Sequence, residues 1–304
     1  MVDSSQTRMA YVSESAWGQT PASPTFTEAR FTGENLSPNI DTVVSNEIRP
    51  DRNVTDLVQV GQSASGNLDF ELSYGAFDNF IESLMYSTWA ADVIKNGIDE
   101  KSFTLEKTFE AGSTDQFHRF PGAVVNSMDL AMQIDQIVTG TFGFVTRGMT
   151  TGQTQLAGAS YAAAPGNAVM NAAADFANLT IAGVTGPEVT ALNLSINNNL
   201  RQQKVLGSLD ARGIGTGRFE VTGDVTAYFE NEELFDLYLN GNSANLSFRL
   251  GGAAAMNYVF NMDNIKFETG SVVAGGNDQD VLANMTFRAL FDGVDNTLQI
   301  TRNA

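Results

Sequence analysis

The chain has 304 residues, no cysteine and a single histidine, and its 17 Lys and Arg against 35 Asp and Glu give a formal charge of −18. Disulfide staples, thiolate metal sites, cysteine nucleophiles and imidazole clusters are thereby excluded, and the charge argues against a clustered basic face for gripping phosphates. The 42% apolar content, with 20 Phe, is ample for a packed core, and at roughly 150 residues per domain the length suits two modest domains or one large β domain. The start, Met1-Val2-Asp3-Ser4-Ser5-Gln6, lacks the basic and apolar stretches of a secretory signal, and no run approaches a membrane span. The expectation is a soluble chain made in a cytoplasm.

In chain order, an irregular segment from Pro38 to Ser63 comes first, with Pro50 poorly placed for a central strand. A loop of that length inside a compact domain points to function or mobility. Leu68, Phe70 and Leu72 then alternate with polar residues, the period of a strand with one buried face. Phe77, Phe80, Ile81 and Leu84 switch to helical spacing. Alternation returns in Phe103 and Leu105, in Met128, Leu130, Met132 and Ile134, and in Val138, Gly140, Phe142 and Phe144. From Met149 to about Asn171 the Ala, Gly and Thr content and weak periodicity predict a linker.

Beyond it, odd positions from Phe219 to Phe229 predict a strand. Asn231 then caps a short helix with Glu232 and Glu233 in its first turn and Leu234, Leu237 and Tyr238 on one face. Leu246, Phe248 and Leu250, and the run from Val281 to Phe291, complete the alternating segments. The protein is predicted to be mainly antiparallel β with two short helices.

The two strand–helix passages echo one another. When Gly66 is set on Gly223, Leu68 meets Val225, Leu72 meets Phe229, Phe77 meets Leu234 and Phe80 meets Leu237. Leu36-Ser37-Pro38-Asn39 lies over Leu194-Ser195-Ile196-Asn197, Ser102-Phe103-Thr104-Leu105 over Ser247-Phe248-Arg249-Leu250, and Val138 to Phe144 over Val281 to Phe287. Four matches in one order predict a duplicated module of about 110 to 150 residues. The expected division is 1–148, a linker 149–171, and 172–304.

Few residues offer chemistry. His118 has Ser102, Ser113 and several Asp nearby in sequence but no nucleophile-elbow pattern, and reads as a polar residue at a loop edge. Asp278 and Asp280 read as turn residues, and Glu230, Glu232 and Glu233 as partners of a helix dipole, since neither set has the ordered ligand series of a calcium loop. Gly213-Ile214-Gly215-Thr216-Gly217 precedes a strand rather than a helix, so a flexible hairpin connection is expected in place of a phosphate loop. Arg49, Arg52, Arg201, Lys204 and Arg212 stand either as solvated charges or as partners of acidic loops on a neighbouring copy. No catalytic residue, metal or cofactor is expected.

Two ordered sets of residues carry a family resemblance. Asn46-Glu47-Ile48-Arg49-Pro50-Asp51-Arg52 followed by Gly66-Asn67-Leu68-Asp69-Phe70-Glu71-Leu72-Ser73-Tyr74, and Ile196-Asn197-Asn198-Asn199-Leu200-Arg201 followed by Gly217-Arg218-Phe219-Glu220-Val221-Thr222-Gly223, resemble the tail tube proteins of long non-contractile tailed bacteriophages. The resemblance implies two similar β-sandwich or barrel-like modules, each flanked by one helix. It implies copies joined strand to strand into rings, and rings stacked into a hollow tube through which the genome leaves the capsid. A duplicated chain needs three copies to present six modules, so a trimeric ring is expected.

Within that frame Glu47, Ile48, Arg49, Pro50, Asp51 and Arg52 are assigned to a ring-to-ring arm, with Asn199, Arg201 and Lys204 in its shorter counterpart. Asp69, Glu71, Glu220 and Asp224 are assigned to an acidic lumen that double-stranded DNA passes without specific binding. The implied partners are further copies of the chain and other phage tail proteins, with no membrane, in a virion assembled in a bacterial host cytoplasm. The alternatives are a secreted carbohydrate-binding or carbohydrate-acting β-sandwich, for which only Trp17 and Trp89 offer stacking surfaces, and a baseplate or capsid decoration protein.

Overall fold

A computed structural model describes residues 3–110, 112, 114–294 and 296–304. Strands dominate, with two short helices, Asp78–Met85 and Glu233–Leu239. The predicted helical stripes are the buried faces: Phe80, Ile81 and Leu84 in the first helix and Leu234 and Leu237 in the second. Left-handed Tyr86 (φ 48°) ends the first helix, and the Asn231 side chain accepts from the Glu233 N–H at the start of the second.

Two long strands organise the sheets. The first half of Gln116–Gln133 pairs with Phe103–Phe109, which pairs in turn with Thr7–Ser13. Its second half pairs with Thr139–Thr146 on one edge and Val189–Asn197 on the other. Asn257–Val273 behaves likewise, pairing first with Ala244–Gly251 and then with Leu282–Ala289. A strand that leaves one sheet for another through a bulge makes the corner of a sandwich. The same bulge recurs in both: between Val125 and Ser127 against Thr139–Thr146, and between Phe267 and Thr269 against Leu282–Ala289.

The registers repeat as well. Gly66 stands opposite Phe144 and Leu68 opposite Phe142, while Gly223 stands opposite Phe287 and Val225 opposite Met285. Three sequence matches, at Leu36/Leu194, Gly66/Gly223 and Phe144/Phe287, thus occupy matching ladder positions. The fourth is displaced. The bulge that puts Phe103 opposite Ala123 puts Ala244 opposite Ile265, so Ala244 rather than Phe248 holds the place of Phe103. Ser-Phe-x-Leu repeated by coincidence in two alternating strands.

Three further expectations change. The segment from Pro38 to Ser63 is a long hairpin, Ser37–Val44 against the first part of Leu57–Glu71, with Pro38 on an outer strand and Pro50 at the tip. Residues 149–171 are not a plain linker: Thr150–Gly152 and Ser160–Ala162 add to the first half's sheet. A buried cluster fixes that segment, with the Glu106 carboxylate accepting from Arg119 (2.6 Å) and from the Tyr161 hydroxyl. Lastly, Ile134 and Phe291, the ends of two alternating runs, lie exposed beyond their strands.

One core runs through both halves, from Met9 and Phe80 to Phe248 and Ile300. The halves are also tied by Val93–Lys95 pairing with the C-terminal strand Gln299–Asn303. At Gly223 backbone and ring come too close for a side chain: a Cβ there would overlap the Asn193 carbonyl oxygen and the Phe287 ring. Gly223→Ala is therefore expected to cost about 1–3 kcal/mol through overpacking, read as a fall in the midpoint of thermal unfolding. An unchanged midpoint would show that the sheet accommodates a methyl group there.

Candidate functional site

Eight strand segments lie side by side through the middle of the molecule: Gly33–Glu34, Leu57–Glu71, Thr139–Thr146, Gln116–Gln133, Val189–Asn197, Glu220–Tyr228, Leu282–Ala289 and Asn257–Val273. Because side chains alternate, the face opposite Leu68, Leu130, Leu194, Val225 and Met285 is set by their polar neighbours. That face forms an open trough of about 660 Å³. Asp69, Asp129, Asp224 and Glu268 line it with Thr, Ser and Asn, and among the described residues no Lys or Arg does.

Two of the trough carboxylates are held by short polar neighbours, and Glu268 by Arg288. Asp69 accepts from the Thr141 hydroxyl at 2.7 Å and Asp224 from the Asn193 amide at 2.8 Å. Of the four carboxylates expected on one surface, Asp69 and Asp224 meet in the trough. Glu71 opens onto an adjoining recess beside Arg30 and Phe31. Glu220 lies at the margin, 3.9 Å from Arg288, which also pairs with Glu268.

Sequence reasoning missed Asp129 and Glu268. The signal for Asp129 was present, since it sits between Met128 and Leu130 on an alternating strand. Glu268 falls at the bulge between Phe267 and Thr269, where alternation breaks.

The second feature is the hairpin of Ser37–Val44 and Leu57–Glu71, whose outer part projects as an arm tipped by residues 45–56. Apolar side chains on it stand in solvent, among them Ile40, Val43, Val58 and Val60, with Ile48 97% and Val54 71% exposed. Charged residues there are locally engaged. Arg49 pairs with Asp51 at 2.9 Å and, with the Asn53 N–H, lowers that carboxyl to about 2. Arg52 holds a left-handed turn conformation (φ 61°).

The smaller hairpin Arg201–Gln203 with Gly213–Gly215 sits against the arm's base rather than projecting beside it. Lys204 pairs with Asp41, and its hydrogen bond is the main cause of that carboxyl's lowered pKa. Gln62 donates from its backbone to Leu209 and from its amide to Asp210. Arg201 donates to the Thr216 carbonyl, and the Asn199 amide to the Arg218 carbonyl. The expected flexible glycine connection is partly a strand, because Gly213–Gly215 completes this ladder.

Third, the row of eight strands ends at two margins that lack a strand partner among the described residues. They are the outer edge of 33–44 and the edge of 266–273 that faces away from Leu282–Ala289.

The remaining candidates fall apart as a reactive site. His118 lies within Gln116–Gln133 rather than at a loop edge, opposite Lys107 and edge-on to Phe109. Burial, then Lys107, lowers its pKa. Ser113 lies outside the described residues. Asp278 occupies a turn (φ 69°) before Leu282–Ala289, and Glu233 accepts from the Thr185 N–H. Among the described residues no three His, Cys, Asp or Glu are grouped to hold a metal ion, and no helix is long and apolar enough to cross a membrane. Trp89 is stacked under Arg302, and Trp17 donates to the Gly122 carbonyl.

Comparison with curated proteins gives no match. A family model described as phage tail tube protein matches residues 4–289.

Proposed function

The chain belongs to the phage tail tube protein family, a structural and not an enzyme family, and from that premise we propose how this component of the virion tail builds a conduit for double-stranded DNA. Three copies close into a ring, rings stack into the tube of a long non-contractile tail, and the genome passes through during ejection. Each chain supplies two modules, 1–148 and 172–304, with 149–171 between them. The recurring registers and bulges support this duplication.

The observation that carries the reading is the eight-strand acidic trough with an open strand margin at each end. Such margins are a hazard in a lone subunit and vanish when a sheet closes on itself. Three copies give twenty-four strands. At about 4.8 Å between strands and a tilt of about 40°, the wall measures roughly 150 Å around and about 48 Å across. Side chains of about 5 Å on each wall leave roughly 38 Å, wider than a DNA duplex.

In this arrangement Asp69, Asp129, Asp224 and Glu268 face the lumen, with Glu71 and Glu220 toward its ends. The arm, with Glu47 to Arg52 at its tip and Asn199, Arg201 and Lys204 beside its base, meets the adjacent ring. Other phage tail proteins bind the terminal rings, and the subunit is made in the host bacterial cytoplasm.

Negative-stain electron microscopy of the concentrated, purified protein is expected to show rings or hollow polymers with a stain-filled centre of about 38 Å. A protein that stays monomeric at every concentration tried would overturn the reading.

A further inference from the structure

We propose that the seam inside the chain is the template for the seam between chains, and that it fixes the register in which one copy docks on the next. The proposal rests on the ring reading above and adds which residues face each other. Inside the chain, Gln116–Gln133 and Val189–Asn197 join antiparallel, with Ser127 opposite Asn197, Asp129 opposite Ser195 and Leu130 opposite Leu194. This pairing bridges the two sets of repeated ladders.

Each side of that seam has an open counterpart. Ser127 follows the bulge opposite Gly143, and Thr269 follows the matching bulge opposite Thr286. The open edge beyond Thr269 therefore stands where Val189–Asn197 docks in the first half. Leu194 stands opposite Gly223. Its counterpart opposite Gly66 is Leu36, between Asn35, which donates to Asn67, and Ser37, opposite Ser65.

Transposing the internal seam sets Thr269 of one copy opposite Asn39 of the next, Ser271 opposite Ser37 and Val272 opposite Leu36. The faces agree: Thr269 shares a hydroxyl contact with Thr286 on the trough side, and Leu36 is buried on the core side. A slip of one residue would turn polar positions into the core.

The backbone is arranged for this docking. The Asn35 N–H points inward to the Asn67 carbonyl, whereas the Leu36 N–H points away from that strand and, among the described residues, donates to the nearby Glu34 carboxylate at 3.1 Å. Alternation turns Pro38 outward as well, and because it has no N–H the seam lacks one ladder hydrogen bond at the position facing Gly270 of the adjoining copy. Positions 37 and 39 direct their backbone groups inward and so form the non-hydrogen-bonded cross-seam pairs, in which side chains approach most closely.

Because the chain has no cysteine, the register is directly testable by oxidation. The variants Asn39→Cys with Thr269→Cys, and Ser37→Cys with Ser271→Cys, are expected to form covalent oligomers that end at the closed ring on non-reducing gels. Asn39→Cys with Ser271→Cys, offset by two residues, is expected to link at least tenfold more slowly, since the diagonal separation exceeds disulfide reach. Rings in the microscope with the offset pair linking best would overturn the register while leaving the ring reading intact. Absence of rings in the unmodified protein would overturn both.

Discussion

Rings should persist but tubes should not form when residues 45–56 are replaced by a two-residue Asn-Gly turn. The deletion removes only the tip of the arm, leaves the Ser37–Val44 ladder in place, and gives its strands a turn suited to a hairpin. What is lost is apolar surface that has no partner within one subunit, chiefly Ile48 and Val54. Burying one such side chain is worth about 1.5–3 kcal/mol. With three arms per ring, the loss at each joint is several kcal/mol, enough to lower ring-to-ring affinity by more than about a thousandfold.

The charges contribute less. Arg49 is already paired with Asp51 on an exposed tip, and surface pairs are worth about 0–1 kcal/mol. Arg49→Glu with Arg52→Glu should therefore shorten tubes, whereas Ile48→Asp should nearly abolish them. Length distributions from electron microscopy, with ring mass in solution as the control, measure both. Full-length tubes from the deletion variant would take the arm out of the stacking contact.

The arm also shows why part of the fold was hidden in the sequence. Alternation is legible only where one face of a strand is buried and the other wet. That condition holds for Leu68 and Phe70, for Met128 to Met132 and for Val221 to Ala227, and these strands were readable. It fails along Ser37–Val44 and the start of Leu57–Glu71, where both faces meet solvent and valines stand at adjacent positions 43 and 44. A stretch with two exposed faces carries no period, and so it read as a loop.

The trough was half legible for the same reason. Asp69 and Asp224 are polar members of clean alternations, as is Asp129, whose role became visible only when Val189–Asn197 was seen to dock beside it. Glu268 was masked by a bulge. Which strands would be neighbours across the two halves was not readable at all, because the pairing of Ser127 with Asn197 depends on ladder geometry and not on local pattern.

Reversing the trough's charge should convert a passive wall into a DNA trap. Asp69→Lys, Asp129→Lys and Asp224→Lys lie on the solvent face of the sheet, so the core behind them is untouched. Unmodified tubes should show no retention of duplex, since carboxylates repel phosphates and release no counterions. The triple variant places a ring of ammonium groups at each level, and its tubes should retain duplex DNA in sedimentation at about 50 mM salt and release it steeply by about 200 mM.

Location is tested by a second variant with the same change in charge, Glu230→Lys, Glu232→Lys and Asp278→Lys, all at exposed positions outside the trough. It should retain little of a duplex whose ends are free to enter the lumen, and should respond equally to closed circular DNA. The trough variant should discriminate strongly in favour of linear DNA, because only a free end can thread a closed wall. Equal retention of linear and circular DNA by the trough variant would place those carboxylates on the outside of the assembly.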